Sequence, residues 1–196
     1  MQKFGGTSLQ NEAGRLMALE KIRSAIEEGF SPVIVVSAIG RKGDPYSTDT
    51  LIDEAKKCLI DIKKREKDLL TSCGEIISAV LMVQRLRAAK LDAIALTGFQ
   101  AGIITDDNFG NARVNKVNPS KILSCLQNGK IPVIAGYQGI SESFEITTLG
   151  RGGSDTTAAI VAAALKADKI EIYSDVNGLM TADPTIVESA ILLNEA

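Results

Sequence analysis

Four short stretches of this 196-residue chain combine residue types that could do chemistry. The first is Lys3-Phe4-Gly5-Gly6-Thr7-Ser8. Paired glycines let a backbone approach a ligand closely and turn N–H groups toward an anion, and the lysine adds a mobile positive charge suited to a phosphoryl group. The second is Leu149-Gly150-Arg151-Gly152-Gly153-Ser154-Asp155, which leads into the alanine-rich stretch 156–167. Glycines before a helix N-terminus form an anion-binding nest reinforced by the helix dipole, and an arginine there can grip a carboxylate or phosphate with two hydrogen bonds. The third is Tyr173-Ser174-Asp175-Val176-Asn177-Gly178 followed by Leu179-Met180-Thr181-Ala182-Asp183-Pro184. It directly follows a β-rich run, where open parallel sheets bind ligands. The fourth is Ser72-Cys73-Gly74-Glu75, in a helical region, where a carboxylate beside a glycine could face an ammonium group.

Each stretch also has a plainer reading. Gly5-Gly6 suits a tight turn, Ser154 and Asp155 are good helix caps, Asn177-Gly178 and Asp183-Pro184 are turn signals, and a lone Glu75 suits a surface position. Capping alone, however, does not call for an arginine flanked by glycines. Neither glycine motif is a P-loop, because GxxxxGK[ST] is absent, and Asp155 stands where a dinucleotide fingerprint needs its last glycine.

Such groups need elements to hold them. Val33-Ile34-Val35-Val36 is an uninterrupted β-branched run, as expected of a strand buried on both faces. Ala93-Ile94-Ala95-Leu96, Pro132-Val133-Ile134-Ala135 and Ile170-Glu171-Ile172-Tyr173 read similarly. Between them, residues 13–28 space Leu16, Leu19, Ile22 and Ile26 as a helix stopped by Gly29, and residues 154–167 form an alanine-rich helix opened by capping residues. The alternation predicts an α/β fold, a three-layer sandwich with a largely parallel sheet. Residues 39–50, with Gly40, Gly43 and Pro45, form a longer loop that could border a site. Neither a repeat nor an interdomain linker is evident.

Composition removes other functions. Twenty-two basic against 24 acidic residues leave a net charge of −2, without the basic stripe of a nucleic-acid binder, and Lys63-Lys64-Arg65 is interrupted by Glu66 and Asp68 as on a solvated helix face. No continuous apolar run reaches the roughly 18 residues of a membrane span, and residues 1–9 do not resemble a signal peptide. Cys58, Cys73 and Cys125 are odd in number and far apart, which argues against a disulfide framework and fits a reducing cytoplasm. With no histidine in the chain, Ser-His-Asp and Cys-His catalysis are excluded and a structural zinc site is not expected. Short flanks at both ends suggest a domain incomplete at each.

Together, KFGGTS, SCGE, TLGRGGSD and SDVNGLMTADP resemble the amino acid kinase family, and within it the aspartate kinases, over essentially the whole chain. Residues 40–49 further resemble the diaminopimelate-sensitive type of Gram-positive bacteria. The resemblance implies a carbamate kinase-like fold and ATP-dependent phosphorylation of the side-chain carboxylate of L-aspartate. That reaction is the first step toward lysine and diaminopimelate, threonine and methionine. Lys3, Phe4, Gly5, Gly6, Ser174, Asp175, Met180, Thr181, Ala182, Asp183 and Pro184 would hold ATP. Ser37, Thr48, Glu75, Arg151, Gly152, Gly153 and Ser154 would hold aspartate, with Glu75 on its ammonium and Arg151 on its α-carboxylate. Lys3 and Asp155 would be the catalytic pair, Asp155 orienting the lysine. Mg²⁺ would accompany the nucleotide, with no metal site in the protein itself, and the resemblance implies a homodimer. Residues 1–196 would be a catalytic domain without the family's regulatory ACT domains. Asn177 and Thr185 depart from the family's usual aspartate and arginine. The competing readings are a glutamate, acetylglutamate or uridylate kinase, or a nucleotide-binding fragment with little turnover.

Overall fold

The computed structural model describes residues 1–174, 178, 181, 187 and 189–191. Five strands form a parallel sheet: β1 (Gln2–Phe4), β2 (Ile34–Val36), β3 (Ala93–Leu96), β6 (Ile131–Ala135) and β9 (Glu171–Tyr173), in the order β3-β6-β2-β1-β9. The remaining strands, β4 (Ile103–Thr105), β5 (Val114–Val117), β7 (Gln138–Ser141) and β8 (Ile146–Thr148), make a second sheet in the order β5-β4-β7-β8. There only β4 and β7 run parallel. The helices are α1 (Glu12–Glu27), α2 (Thr48–Lys56), α3 (Lys64–Ala88), α4 (Ser120–Gln127) and α5 (Gly153–Leu165).

Side-chain alternation explains the layers. Along β2, Ile34 and Val36 join Leu19, Ile22, Met82 and Leu86 of α1 and α3, whereas Val33 and Val35 face Ile122 of α4 and Val161 of α5. Along β6, Val133 points to the first group and Ile134 to the second. A strand covered on both sides has no polar face to offer, so its residues are apolar without interruption. Burying each large aliphatic side chain contributes about 1.5–3 kcal/mol. β1 obeys the same period. Phe4 enters the α1–α3 side of the core, and Lys3 is thereby turned to the opposite face, toward α5.

The expected strands and the two expected helices are present within a residue or two of their anticipated ends. Asn11 caps α1 by accepting from the Gly14 amide at 2.8 Å, and Gly29, at φ +89°, ends it. Leu16, expected on the inner face, is exposed, and Ala18 takes a core position instead. The helix α5 is not opened by a side-chain cap. Its N-cap is Gly152 in the left-handed conformation, so Ser154 and Asp155 are free of the capping role.

The helix α3 is, by length and composition, long and apolar enough to cross a membrane, although polar residues interrupt its apolar ones. Half of that stretch is buried against the rest of the protein, and its inner face carries Asp68, Thr71, Ser72, Glu75 and Ser78. Asp68 ties the helix to the second sheet. Its carboxylate accepts from the amides of Gly110 and Thr148, both at 2.8 Å, and from the Thr148 hydroxyl at 2.9 Å. Asp68→Ala would strand these donors in a water-poor interior. The expected loss is about 3 kcal/mol of stability, read in thermal unfolding as a fall in Tm of roughly 6–12 °C.

Candidate active site

Because every strand of the main sheet runs the same way, the segments leaving their C-terminal ends meet at one edge. Gly5 and Gly6 follow β1, Ser37 follows β2, Gly136 and Tyr137 follow β6, and Ser174 follows β9. The N-termini of α2 and α5 reach the same edge. Together they surround a cleft of about 760 Å³. Lys3, Gly5, Gly6, Ser37, Thr48, Glu75, Arg151, Gly152, Gly153, Ser154, Asp155 and Ser174 all line it.

At its centre, Lys3 Nζ lies 2.7 Å from Asp155 Oδ1. The lysine side chain is only 7% exposed and the aspartate 47%, so the cation is enclosed while its partner stays open to the cleft. The aspartate oxygen has no aligned hydrogen-bond donor, so charge holds this pair. Gly5 donates to the Tyr173 carbonyl at 3.0 Å, which brings the turn after β1 against the end of β9. Gly6 cannot carry a side chain, because a Cβ there would lie 2.3 Å from the Ala38 carbonyl oxygen. The two loops are joined by the Gly40 amide, which donates to the Gly6 carbonyl at 3.0 Å.

Glu75 is not on the surface. Gly74 brings α3 so close that a Cβ would lie 2.8 Å from the Ala38 Cβ and 2.9 Å from the Tyr46 carbonyl oxygen. The neighbouring carboxyl is thereby buried at 4% exposure. One oxygen accepts from the Ala38 amide at 3.2 Å, and Oε2 has no partner. Burial pushes Glu75 up to about 8, well above the usual carboxylate range. A buried carboxyl with one unmatched oxygen on the wall of a cleft is suited to a cationic group of a ligand.

On the same cleft, Arg151 is exposed between two glycines in the left-handed conformation, Gly150 at φ +77° and Gly152 at φ +72°. No other residue type adopts that pair of turns as cheaply. The turn places Arg151 and the N-terminus of α5 on the lining of the cleft that Glu75 also borders. Thr48 opens α2, capped by Ser47, whose hydroxyl lies 2.8 Å from that of Thr50.

Two expected contacts lie elsewhere. The Phe4 side chain is in the core, its ring stacked on Tyr173 with centroids 4.9 Å apart, so only its backbone is near the site, where its carbonyl accepts from Ser37 at 3.1 Å. Thr181 is exposed, pairs with Ile191 and does not line the cleft. Asp175, Met180, Ala182, Asp183 and Pro184, with the departures at Asn177 and Thr185, fall outside the described residues. The sequence reading missed Tyr137, Arg41 and Lys42, which also line the cleft. Their only signal is position, just past the end of a strand or in the glycine-bearing loop after β2.

The amino acid kinase family profile matches residues 2–196. Over 97% of this chain, it is 50% identical to aspartokinase 1 of Bacillus subtilis, of which it covers 47%. Among solved structures, the aspartate kinase from Synechocystis matches with a TM-score of 0.78 and 40% identity, covering 98% of this chain and 30% of that one. Aspartokinase III of E. coli, solved in complex with aspartate and ADP, matches with a TM-score of 0.78 and 25% identity, covering 98% and 52%. The chain thus spans about half the length of the curated relatives it matches.

Proposed function

Because this chain belongs to the amino acid kinase family, we propose that it carries the catalytic domain of an aspartate kinase, transferring the γ-phosphoryl group of ATP to the side-chain carboxylate of L-aspartate. The observation that carries this reading is the division of one cleft into two chemistries. Lys3, the glycine turn after β1 and the N-terminus of α5 suit phosphates, while Glu75 and Arg151 suit the ammonium and α-carboxylate of an amino acid.

A carboxylate is already an anion near neutral pH and needs no general base to attack phosphorus, which agrees with a chain that has no histidine. One aspartate β-carboxylate oxygen bonds to the γ-phosphorus as the bond to the β,γ-bridging oxygen breaks, leaving ADP and an acyl phosphate. The protein's task is alignment and stabilisation of charge on the moving group. Lys3 faces that charge, and Asp155 keeps the lysine directed at it. Glu75 and Arg151 fix the backbone end of aspartate so that its side chain points toward Lys3. Thr48, Ser37, Gly152, Gly153 and Ser154 complete the acceptor side, and Gly5, Gly6 and Ser174 the nucleotide side. Mg²⁺ brought in with the nucleotide would supply further neutralisation of charge on its phosphates.

The orphan oxygen of Glu75 favours a free amino acid over an N-acylated one such as acetylglutamate, whose amide offers no cation. We further place the protein in the cytoplasm, as a homodimer, at the entry to lysine, threonine and methionine synthesis. Incubation with ATP, Mg²⁺ and hydroxylamine should give a hydroxamate with aspartate and little with glutamate. Hydroxamate from glutamate alone would overturn the substrate assignment. ATP binding without product from any amino acid would favour a nucleotide-binding fragment.

A further inference from the structure

Tyr137 is one of four non-glycine residues with positive φ among those described, at +69°, and the only one of the four that lines the cleft. An aromatic residue pays for the left-handed region with strain, and such strain persists only where the surroundings enforce it. Here the enforcing contacts all lead to one loop. The Tyr137 carbonyl accepts from the Leu149 amide at 2.9 Å, on the near side of the Gly150-Arg151-Gly152 turn. Its amide donates to the Thr157 hydroxyl at 3.0 Å. That hydroxyl in turn donates to the Gly153 carbonyl at 2.8 Å, on the far side of the same turn. The ring fills the remaining space, its Cδ2 lying 2.7 Å from where a Cβ on Gly153 would stand. Thr157 is fully buried, so its hydroxyl has no exchange with solvent to fall back on.

We propose that Tyr137 and Thr157 form a clasp that sets the height and direction of the arginine-bearing turn, and so act as positioning residues for the acceptor amino acid. Both ends of the turn are held to one residue, directly from the Tyr137 carbonyl to Leu149 and from its amide through a single hydroxyl to Gly153. The exposed Arg151 then swings only within the range the two glycines allow. The clasp holds the arginine-bearing turn and leaves the turn after β1 alone, so its loss falls more on the amino acid than on ATP. This inference rests on the reading of Arg151 as the group that takes the α-carboxylate.

Thr157→Val keeps the shape of the side chain and deletes both hydrogen bonds, whereas Thr157→Ser keeps the hydroxyl. With wild-type turnover of aspartate established first, Thr157→Val should raise the KM for aspartate by about tenfold. The KM for ATP should stay within about twofold, and Thr157→Ser should restore the aspartate KM. A Thr157→Val enzyme with unchanged KM for aspartate, or with equal losses for aspartate and ATP that track a lower Tm, would overturn the clasp. Should Thr157→Val fail to fold, Thr157→Ala serves, because it deletes the same two hydrogen bonds with a smaller, unbranched side chain. A raised aspartate KM with ATP unaffected supports the proposal, and wild-type values for both overturn it. If the wild-type protein binds ATP but turns over no amino acid, it is the kinase reading that fails. The clasp is then judged by aspartate affinity in calorimetry, with the same expected order of wild type, Ser and Val.

Discussion

Lys3→Ala is expected to lower kcat by about 10³-fold while leaving the KM for aspartate within about threefold. Lys3 is the single enclosed cation between the glycine turn and the N-terminus of α5 among the described residues, and its Nζ sits 2.7 Å from a carboxylate that keeps it directed. Charge on the transferring phosphoryl group develops most fully in the transition state, so the loss falls on turnover rather than on ground-state binding. In the proposed reading aspartate is held by Glu75 and Arg151, neither of which pairs with Lys3. The fold should survive, since Asp155 is 47% exposed and can be hydrated once its partner is gone. Asp155→Asn, which leaves the lysine but removes its guide, should fall between the two. Steady-state kinetics by hydroxamate formation and aspartate binding by calorimetry provide the check. Equal losses in kcat and aspartate affinity would remove Lys3 from the catalytic role.

Glu75→Gln is expected to weaken aspartate binding on the order of 10²-fold and at the same time to stabilise the protein at pH 8 by roughly 1–3 kcal/mol. Both effects come from one burial. Removal from water pushes Glu75 up to about 8, so between the ordinary carboxylate range and that value the folded chain keeps a proton that the unfolded chain has released. The folded state binds more protons there, and stability therefore declines as pH rises through the window, with the full contribution present only below it. Glutamine has no proton to lose and escapes the decline. Binding runs the other way. An aspartate ammonium beside the unmatched Oε2 draws the group into its ionised form, so the wild-type affinity should climb with pH by up to about tenfold per unit and level off near 8, whereas the variant should show no such slope. Thermal unfolding from pH 6 to 9 tests the first effect. Calorimetry in two buffers of different ionisation enthalpy tests the second, as proton release below pH 8. A wild-type protein that binds aspartate with the same affinity at pH 6 and 8 would remove Glu75 from the ammonium site.

Much of this was legible in the residues themselves. The β-branched runs of β2 and β6 announced strands buried on both faces, because a strand with no polar face has nowhere else to lie. Gly5-Gly6 and Gly150-Arg151-Gly152-Gly153 announced close backbone approaches, since their steric requirements are local and only glycine meets them. The second sheet was not legible. Its strands are short and β5 is largely open to solvent, so neither alternation nor an apolar run marks them. The burial of Glu75 was equally hidden, because a glutamate in a helix is ordinarily solvated, and only the contact of Gly74 with the loop after β2 closes water out. Beyond its place just past a strand, Tyr137 gave no signal. Its left-handed backbone follows from partners at Leu149 and Thr157, more than ten residues away, and propensity carries no information over that distance. By itself the sequence determined the parallel α/β frame and the identity of the glycine turns that line the cleft, which depend on side-chain period and on glycine. Tertiary structure decided which ionisable groups are enclosed: Lys3 against Asp155, Glu75 with one oxygen unmatched, Arg151 left exposed. Enclosure depends on what the chain brings alongside from far away.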